Sequence, residues 1–333
     1  MVKKVAINGF GRIGRLFLRA ATGNSGLEII SINDLFEPKY LAYALKFDTV
    51  FGRFPGTISY KEKALIVNGK EIPITAERDP TSLPHNENQI DVVVESTGRF
   101  TNRDDAARHL EAGAKRVLIS APATNPDITV VMGCNDEKIQ AEHKIISNAS
   151  CTTNCLGPVV KVLHENFTIK YGLMTTIHSY TNDQSNVDIV RSGDASKMIR
   201  GRACAANMIP TSTGAAKAIG EIFPDLKGKL DGIAVRVPTL DGSLVDLKAV
   251  VEKRTSSEEI NSEMKQAAES SLRGILEYSE EPIVSSDIIG NPHSSIFSSI
   301  WTKVIENEVF ILSYYDNEIG FSNRMVDLIV KKL

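Results

Sequence analysis

A cysteine set among small polar residues, Ser147-Asn148-Ala149-Ser150-Cys151-Thr152-Thr153-Asn154-Cys155, carries the strongest chemical signal in this chain. The segment Val159 to His164 has helical apolar spacing, which predicts that Cys151 stands near a helix N-terminus. Unpaired backbone N–H groups and the positive end of the helix dipole favour an anion there, and a thiolate is one. Cys155, one turn later on the same face, is expected to be a small buried apolar residue. His178 falls on an expected strand, Tyr171 to Tyr180. An imidazolium beside the thiol would hold it largely as thiolate, and the imidazole could take a proton in the reaction. Thiolate attack on an aldehyde gives a hemithioacetal, whose carbon is a good hydride donor. Loss of the hydride leaves a thioester that phosphate or water can open.

Such chemistry needs a hydride acceptor, and the first residues offer a place for one. Val2 to Ile7 reads as a buried strand, followed by Gly9-Phe10-Gly11-Arg12-Ile13-Gly14 and a helical segment, Arg15 to Ala20. A second strand, Leu27 to Asn33, closes on Asp34, 25 residues after Gly9. A lone G-x-G-x-x-G is weak, but strand before, helix after and a distal acidic residue form the dinucleotide fingerprint. Gly9 serves the tight turn, Gly11 the approach of pyrophosphate, and Gly14 the packing of helix on strand. Asp34 is expected to accept from the adenosine ribose hydroxyls and to repel a 2′-phosphate, favouring NAD over NADP.

The elements continue in alternation. Asp91 to Ser96 reads as a strand, and a helix is expected from near Thr101, paired with Asp104 as a cap, to about Ala112. Strands follow at Arg116 to Ser120, Ile128 to Met132 and Lys144 to Ser147. Alternating strands and helices predict a doubly wound parallel sheet, with Gly9, Asp34, Thr97, Gly98 and Ser120 along one edge. Residues 46–85, with four prolines, suggest short antiparallel strands and loops. Arg78 there could reach an adenine.

Past Cys151 the pattern changes. Thr181 to Met208 is long and irregular, and Thr211-Ser212-Thr213-Gly214 opens a helix over Ala215 to Phe223, a second N-terminus suited to an anion. Val245, Leu247, Ala249 and Val251 alternate with polar residues, as in an antiparallel sheet covered on one side, and Ile233 to Val237 alternates likewise around Arg236. Ser256 to Leu276 and Gly320 to Leu333 read as helices, and Val309 to Tyr315 as a strand.

The net charge of −3 gives no reason to expect a nucleic-acid partner, and no apolar run approaches the ~20 residues of a membrane helix. Four cysteines without an export signal suggest a reducing cytoplasm, and Cys151 and Cys155 lack the second ligand pair of a zinc site, so no metal is expected.

A set of ordered motifs makes the resemblance specific: AINGFGRIGR at 6–15, IND at 32–34, SNASCTTNCLGP at 147–158, TTIHSYTNDQ at 175–184, IPTSTGAAKA at 209–218, RVPT at 236–239 and YDNE at 315–318. Over nearly its whole length the chain resembles the phosphorylating glyceraldehyde-3-phosphate dehydrogenase family. The resemblance implies a Rossmann-type domain over 1–150, joined by the C-terminal helix 317–333, and an α+β catalytic domain over 151–316 with a mostly antiparallel sheet. It implies Cys151 as nucleophile, His178 as its partner, and substrate or phosphate contacts from Ser150, Thr152, Thr181, Arg200, Thr213, Gly214 and Arg236. Cofactor contacts to NAD would come from Arg12, Ile13, Asp34, Arg78, Thr97, Ser120, Asn182 and Asn317. It also implies a homotetramer, with the loop at about 181–203 reaching a neighbouring subunit. Which of the anion sites, near Arg236 or near Thr213-Gly214, takes substrate phosphate stays open.

The chain departs from the family pattern at three places. Ile189-Val190 stands where strictly NAD-dependent members carry Leu-Pro, which weakens the expectation of strict NAD use. Ile319 replaces a common Trp, and Asp241-Gly242 replaces the usual Asn-Val; both are expected to alter packing rather than chemistry. The rival enzyme is erythrose-4-phosphate dehydrogenase, which departs where this chain keeps HSYTN and STGAAKA. A non-catalytic NAD-sensing or RNA-binding module would have no need of Cys151 and His178 together.

Overall fold

A computed structural model describes residues 2–333. Among them two compact units are formed. One runs to Met132 and takes in Asp136–Ser150 and Ser322–Leu333; the other comprises Gly133–Asn135 and Cys151–Phe321.

The first unit contains β1 (Lys3–Asn8), α1 (Arg12–Ala21), β2 (Leu27–Asn33), α2 (Pro38–Lys46), β3 (Ile58–Lys61), β4 (Ala64–Val67), β5 (Lys70–Thr75), β6 (Val92–Glu95), α3 (Arg103–Glu111), β7 (Arg116–Ile119), β8 (Ile128–Thr129) and β9 (Ile145–Ser147). Its sheet has the order β3-β4-β5-β2-β1-β6-β7-β9-β8. From β5 to β8 every pairing is parallel, while β3, β4 and β5 form antiparallel hairpins in the proline-bearing stretch. Parallel strands covered on both faces need apolar residues without alternation, and Val92, Val93 and Val94 are all fully buried. Val93 packs with Ala6, Ala106, Val117, Ile119 and Ile145 in one core.

Some expected boundaries move. The cap of α3 is Asn102, whose Oδ1 accepts from Asp105 N–H at 2.9 Å, in place of the Thr101–Asp104 pair. Gly113 ends that turn at φ +100, where a Cβ would lie 2.8 Å from Asn86 Cα, so both conformation and space demand glycine. Pairing in β8 covers only two residues of the expected Ile128 to Met132 strand. Helix α2, with Pro38 in its first turn, had no counterpart in the sequence reading.

The second unit holds α4 (Cys151–Phe167), β10 (Ile169–Ser179), α5 (Ala195–Ile199), β11 (Ile209–Ser212), α6 (Ala215–Ile222), β12 (Leu230–Val237), β13 (Ser243–Val251), α7 (Ser257–Glu269), β14 (Leu276–Ser279), β15 (Ser295–Ser298), β16 (Lys303–Ile305) and β17 (Glu308–Tyr315). A final helix, α8 (Ile319–Lys331), ends the chain. The sheet order is β11-β12-β10-β13-β17-β15-β14, with β16 on β17; only β10/β12 and β14/β15 pair in parallel. The alternating Val245, Leu247, Ala249 and Val251 are buried against Leu156, Val159 and Leu163 of α4 and Ile260 and Met264 of α7. Tyr171, Leu173 and Ile233, on the other strands, are exposed. A capping box of Ser256 and Glu259 starts α7, but the helix stops at Glu269, short of the expected Leu276. Gly274, at φ +76, turns the chain into β14, one of four short strands, with β11, β15 and β16, that lacked enough periodicity to be foreseen.

Candidate active site

Cys151 is the first residue of α4, as its sequence position requires. The residue two before it, Ala149, is buried with φ +55, a left-handed conformation that costs a non-glycine residue ~1 kcal/mol. The strained turn brings Cys151 out of β9 onto the helix end, with its sulfur 3.5 Å from Nε2 of His178. His178 comes from β10, and its Nδ1 is 2.7 Å from the Ser179 carbonyl. That carbonyl accepts a hydrogen bond from Nδ1–H, which leaves the Nε2 lone pair facing sulfur. Arg236 Nη1, 2.9 Å from the same Nδ1, aims its own protons at Ser179 O (3.0 Å) and Thr181 Oγ1 (3.4 Å). β10 and β12 set this contact, since His178 and Arg236 are partners in the parallel register.

A buried hydroxyl triad braces the pair. Tyr315 Oη lies 2.8 Å from Thr152 Oγ1 and 2.9 Å from Thr176 Oγ1, tying the first turn of α4 to β10 and β17. Its ring meets His178 edge-on at 5.9 Å. The sequence marked Tyr315 only as the first residue of the YDNE motif, without a role; the alternation of β17 turns it inward.

Burial works against charge on both partners. It pushes the Cys151 thiol up to about 11, although Arg236 and hydrogen bonds from Thr152 work downward. Burial, followed by the Arg236 cation, lowers His178 to about 3. Burial therefore works toward neutral thiol and neutral imidazole in the unliganded pair, while the Arg236 cation and the Thr152 hydrogen bonds work toward the thiolate.

Thr181, Arg200 and Arg236 gather on one side of His178. Arg200 pairs with Asp183, which also accepts from Thr181 Oγ1. Those bonds keep Asp183 ionised against the penalty of its burial. Thr213 and Gly214 lie elsewhere, at the start of α6, where Gly214 supplies no side-chain cap. Thr213 Oγ1 accepts from Ala215 N–H at 3.2 Å, and Thr153 Oγ1 donates to Ala215 O at 3.4 Å, so this second helix start adjoins the first turn of α4. Asn317 is buried, its Oδ1 accepting from Ser179 Oγ (2.8 Å) and Ser243 Oγ (2.7 Å), whereas Asn182 is exposed.

In the first unit the expected cofactor residues follow the carboxyl ends of adjacent parallel strands: Gly9 after β1, Asp34 after β2, Thr97 and Gly98 after β6, Ser120 after β7. The turn fits a dinucleotide. Gly9 has φ +91, Gly11 has open space where a Cβ would stand, and a Cβ on Gly14 would lie 2.2 Å from Gly9 O. α1 begins with no side-chain cap and no acidic residue in its first turn, leaving its amides to a diphosphate. Asp34 Oδ2 accepts from Phe10 N–H at 2.7 Å and Oδ1 from Phe36 N–H at 3.1 Å, so the carboxylate also locks the glycine turn. Ile13 is half-buried, Arg78 is exposed, and Arg12 is directed to Asp48 at 2.9 Å. Ser150 is half-buried at the end of this unit.

Residues 3–103 match the family described as glyceraldehyde 3-phosphate dehydrogenase, NAD binding domain, and residues 150–317 match its C-terminal domain. The chain is 54% identical over 330 residues to glyceraldehyde-3-phosphate dehydrogenase of Geobacillus stearothermophilus, covering 98% of this chain and 97% of the relative. It is 55% identical over 327 residues to glyceraldehyde-3-phosphate dehydrogenase 1 of Bacillus cereus, with 98% and 97% covered. Similarity to the Mycobacterium leprae enzyme of that name is 54% over 336 residues, with 99% and 98% covered. The chain belongs to the glyceraldehyde-3-phosphate dehydrogenase family.

Against the pattern of that family, Asp241 does more than alter packing. It is 3% exposed; Oδ1 accepts from Gly242 N–H, and Oδ2 has no hydrogen-bond donor among the described residues. Burial and the neighbouring Asp316 and Glu318 push its pKa up. Asp316 receives backbone N–H groups from Gly290, Glu318 and Ile319, so the proton of the pair belongs on Asp241. Ionised, Asp241 would also raise the Cys151 thiol further. The unfolded chain releases this proton near pH ~4, so the native state holds it through a range where the unfolded state does not. Stability then falls by ~1.4 kcal/mol per pH unit above pH ~4 until the raised native pKa is passed. An Asp241→Asn variant has no such proton. Its melting temperature should exceed the parent's by several degrees at about pH 8, the gap narrowing toward pH 5. Parallel melting curves across that range would show that Asp241 is ionised in the fold.

Proposed function

We propose that this chain is an NAD-dependent phosphorylating glyceraldehyde-3-phosphate dehydrogenase, with the first unit as its dinucleotide domain and the second as its catalytic domain. The observation that carries the reaction is the 3.5 Å approach of Cys151 Sγ to His178 Nε2 at the start of a helix, beside the Arg236 cation. Sulfur attacks the aldehyde carbon of glyceraldehyde 3-phosphate while the thiol proton passes to Nε2 and on to the new hydroxyl. His178 then takes that hydroxyl proton as the carbon loses hydride. Bound NAD supplies the hydride acceptor. The thioester on Cys151 is opened by inorganic phosphate, giving 1,3-bisphosphoglycerate and restoring the thiol.

Thr181, Arg200 and Arg236 suit one phosphate, and the α6 N-terminus with Thr213 and Gly214 suits the other. Ser150 and Thr152 flank the sulfur. Gly9, Gly11, Arg12, Ile13, Gly14, Asp34, Arg78, Thr97, Gly98, Ser120, Asn182 and Asn317 are assigned to the cofactor; for Arg12 this means turning from Asp48 toward it.

A cytoplasmic homotetramer is the assembly this reading favours. In support, Val190 is 98% exposed, with Val187 and Met208 bare in the same long loop, and Tyr171, Leu173 and Ile305 bare in or beside the second sheet. No helix among the described residues is long and apolar enough to cross a membrane.

The test is absorbance at the NADH band. Full turnover should require NAD, glyceraldehyde 3-phosphate and phosphate together, and should fall sharply when NADP replaces NAD. Equal rates without phosphate, with erythrose 4-phosphate preferred, would give the rival assignment.

A further inference from the structure

The carboxyl edge of the first sheet carries a row of buried and half-buried side chains that the reaction itself does not use. The last residues of four neighbouring strands, Thr75, Asn33, Asn8 and Glu95, are partners in register. Their side chains form a one-way donor chain. Thr75 Oγ1 donates to Asn33 Oδ1 (2.9 Å), Asn33 Nδ2 to Asn8 Oδ1 (2.7 Å), and Asn8 Nδ2 to Glu95 Oε2 (2.5 Å). From the other side His109 Nε2 meets the same Oε2 at 3.1 Å, and His85 Nε2 lies 3.1 Å from His109 Nδ1. Glu95 Oε1 accepts from Thr97 N–H at 2.8 Å and also from Thr97 Oγ1. A carboxylate offers about four acceptor positions, and here four donors meet them, so Glu95 is the charged acceptor at the end of the row.

The proton positions follow. His109 gives its Nε2 proton to Glu95, so its Nδ1 accepts from His85 Nε2–H. That leaves His85 Nδ1, which has no partner among the described residues, as a lone pair rather than an unpaired N–H. Burial, and then His109, lowers His85 to about 4, consistent with a ring that stays neutral. Asn8, Glu95, His85 and His109 are each at most 2% exposed.

The row ends where the glycine turn begins. A Cβ on Gly9 would lie 2.7 Å from Thr97 N, and Ser96 Oγ donates to Gly9 O at 2.7 Å. Thr97 therefore lies directly against the turn, and Glu95 is the group that clamps it. We propose that Glu95 is a positioning residue for the cofactor. It is a buried carboxylate, seated by His109 and the Asn8–Asn33–Thr75 row, that holds Thr97 and through it the Gly9 turn in the geometry that takes NAD. The inference rests on the assignment of Thr97 and the glycine turn to NAD given above.

The experiment is titration of NAD into the full-length, substrate-free protein, with melting curves of the same samples. Binding by the parent tests the functional reading; the variants test this one. Glu95→Gln replaces acceptor positions with an N–H₂ group that must face donors, and should weaken NAD binding at least about tenfold, which is ~1.4 kcal/mol. Turnover at saturating NAD should stay near the parent's. At position 109 the glutamine Nε2 can take over the imidazole donor, so His109→Gln should bind within about threefold of the parent, whereas His109→Leu should lose about tenfold. A merely structural network would lower the melting temperature in both position-109 variants without separating their NAD affinities. Equal affinities for those two would overturn the proposal, as would a folded Glu95→Gln variant binding NAD within twofold of the parent. If the Glu95 variant fails to fold, the position-109 pair decides.

Discussion

A Cys151→Ser variant should lose roughly 10⁴- to 10⁶-fold in NADH formation while still binding NAD as the parent does. The sulfur performs two tasks that oxygen does poorly in this setting. It must become an anion despite burial, and a hydroxyl is a much weaker acid than a thiol already pushed up to about 11. It must then hold the acyl group as a thioester, which phosphate opens more readily than the ester a serine would give. The remaining cysteines offer no substitute, because Cys155 is fully buried and raised to about 12, and Cys134 and Cys204 are buried as well. Under native conditions iodoacetamide should therefore add once per chain, and the variant should take up none. Intact mass after mixing with glyceraldehyde 3-phosphate and NAD, without phosphate, should show one acyl adduct on the parent only. Retention of even a tenth of the activity would mean another nucleophile.

The parts of this site that could be read from sequence are those fixed by local rules. A thiol before a helical apolar run lands at a helix start, and glycines between strand and helix land at a strand end. The order of strands then places Asp34 and Thr97 beside Gly9. Register and burial are not local. His178 and Arg236 are 58 residues apart and meet only because β10 and β12 pair in parallel with those two residues opposite. The opposing pulls of burial and of Arg236 on the Cys151–His178 pair are likewise invisible in one dimension, since they depend on how much chain covers both groups. Asp241 shows the same limit: read as a packing change, it proves to be a buried acid beside Asp316. Glu95 and His109 looked like the end of an apolar strand and a residue of an ordinary helix. Only the inward stripe of Ala106 and His109 on α3 could have hinted that the imidazole faces the sheet. The four short strands β11, β14, β15 and β16 were missed because four residues or fewer carry too little pattern to separate strand from loop.

Replacing His178 by Asn should change the shape of the pH profile as well as its height. In the parent, thiol–imidazole and thiolate–imidazolium contain the same number of protons, so passage between them needs no proton from solvent. With the pair titrating at about 3 and about 11, kcat/KM should be flat in this pair's contribution from about pH 5 to pH 9. In particular, no step near 6.5, the ordinary imidazole value, should belong to it. An asparagine cannot accept the proton, so His178→Asn must draw on the small thiolate fraction that hydroxide produces. For a thiol near 11 that fraction is about 10⁻⁴ at pH 7 and rises tenfold per pH unit. The variant should then lie about 10²- to 10⁴-fold below the parent at pH 7, the range a positioned proton acceptor contributes, and rise with a slope near one as pH increases. The measurement is kcat/KM for glyceraldehyde 3-phosphate at fixed ionic strength, with NAD and phosphate saturating. A variant profile parallel to the parent's would remove His178 as the proton acceptor. A parent profile with a limb near 6.5 that vanishes in the variant would restore the imidazolium–thiolate pair as the resting state.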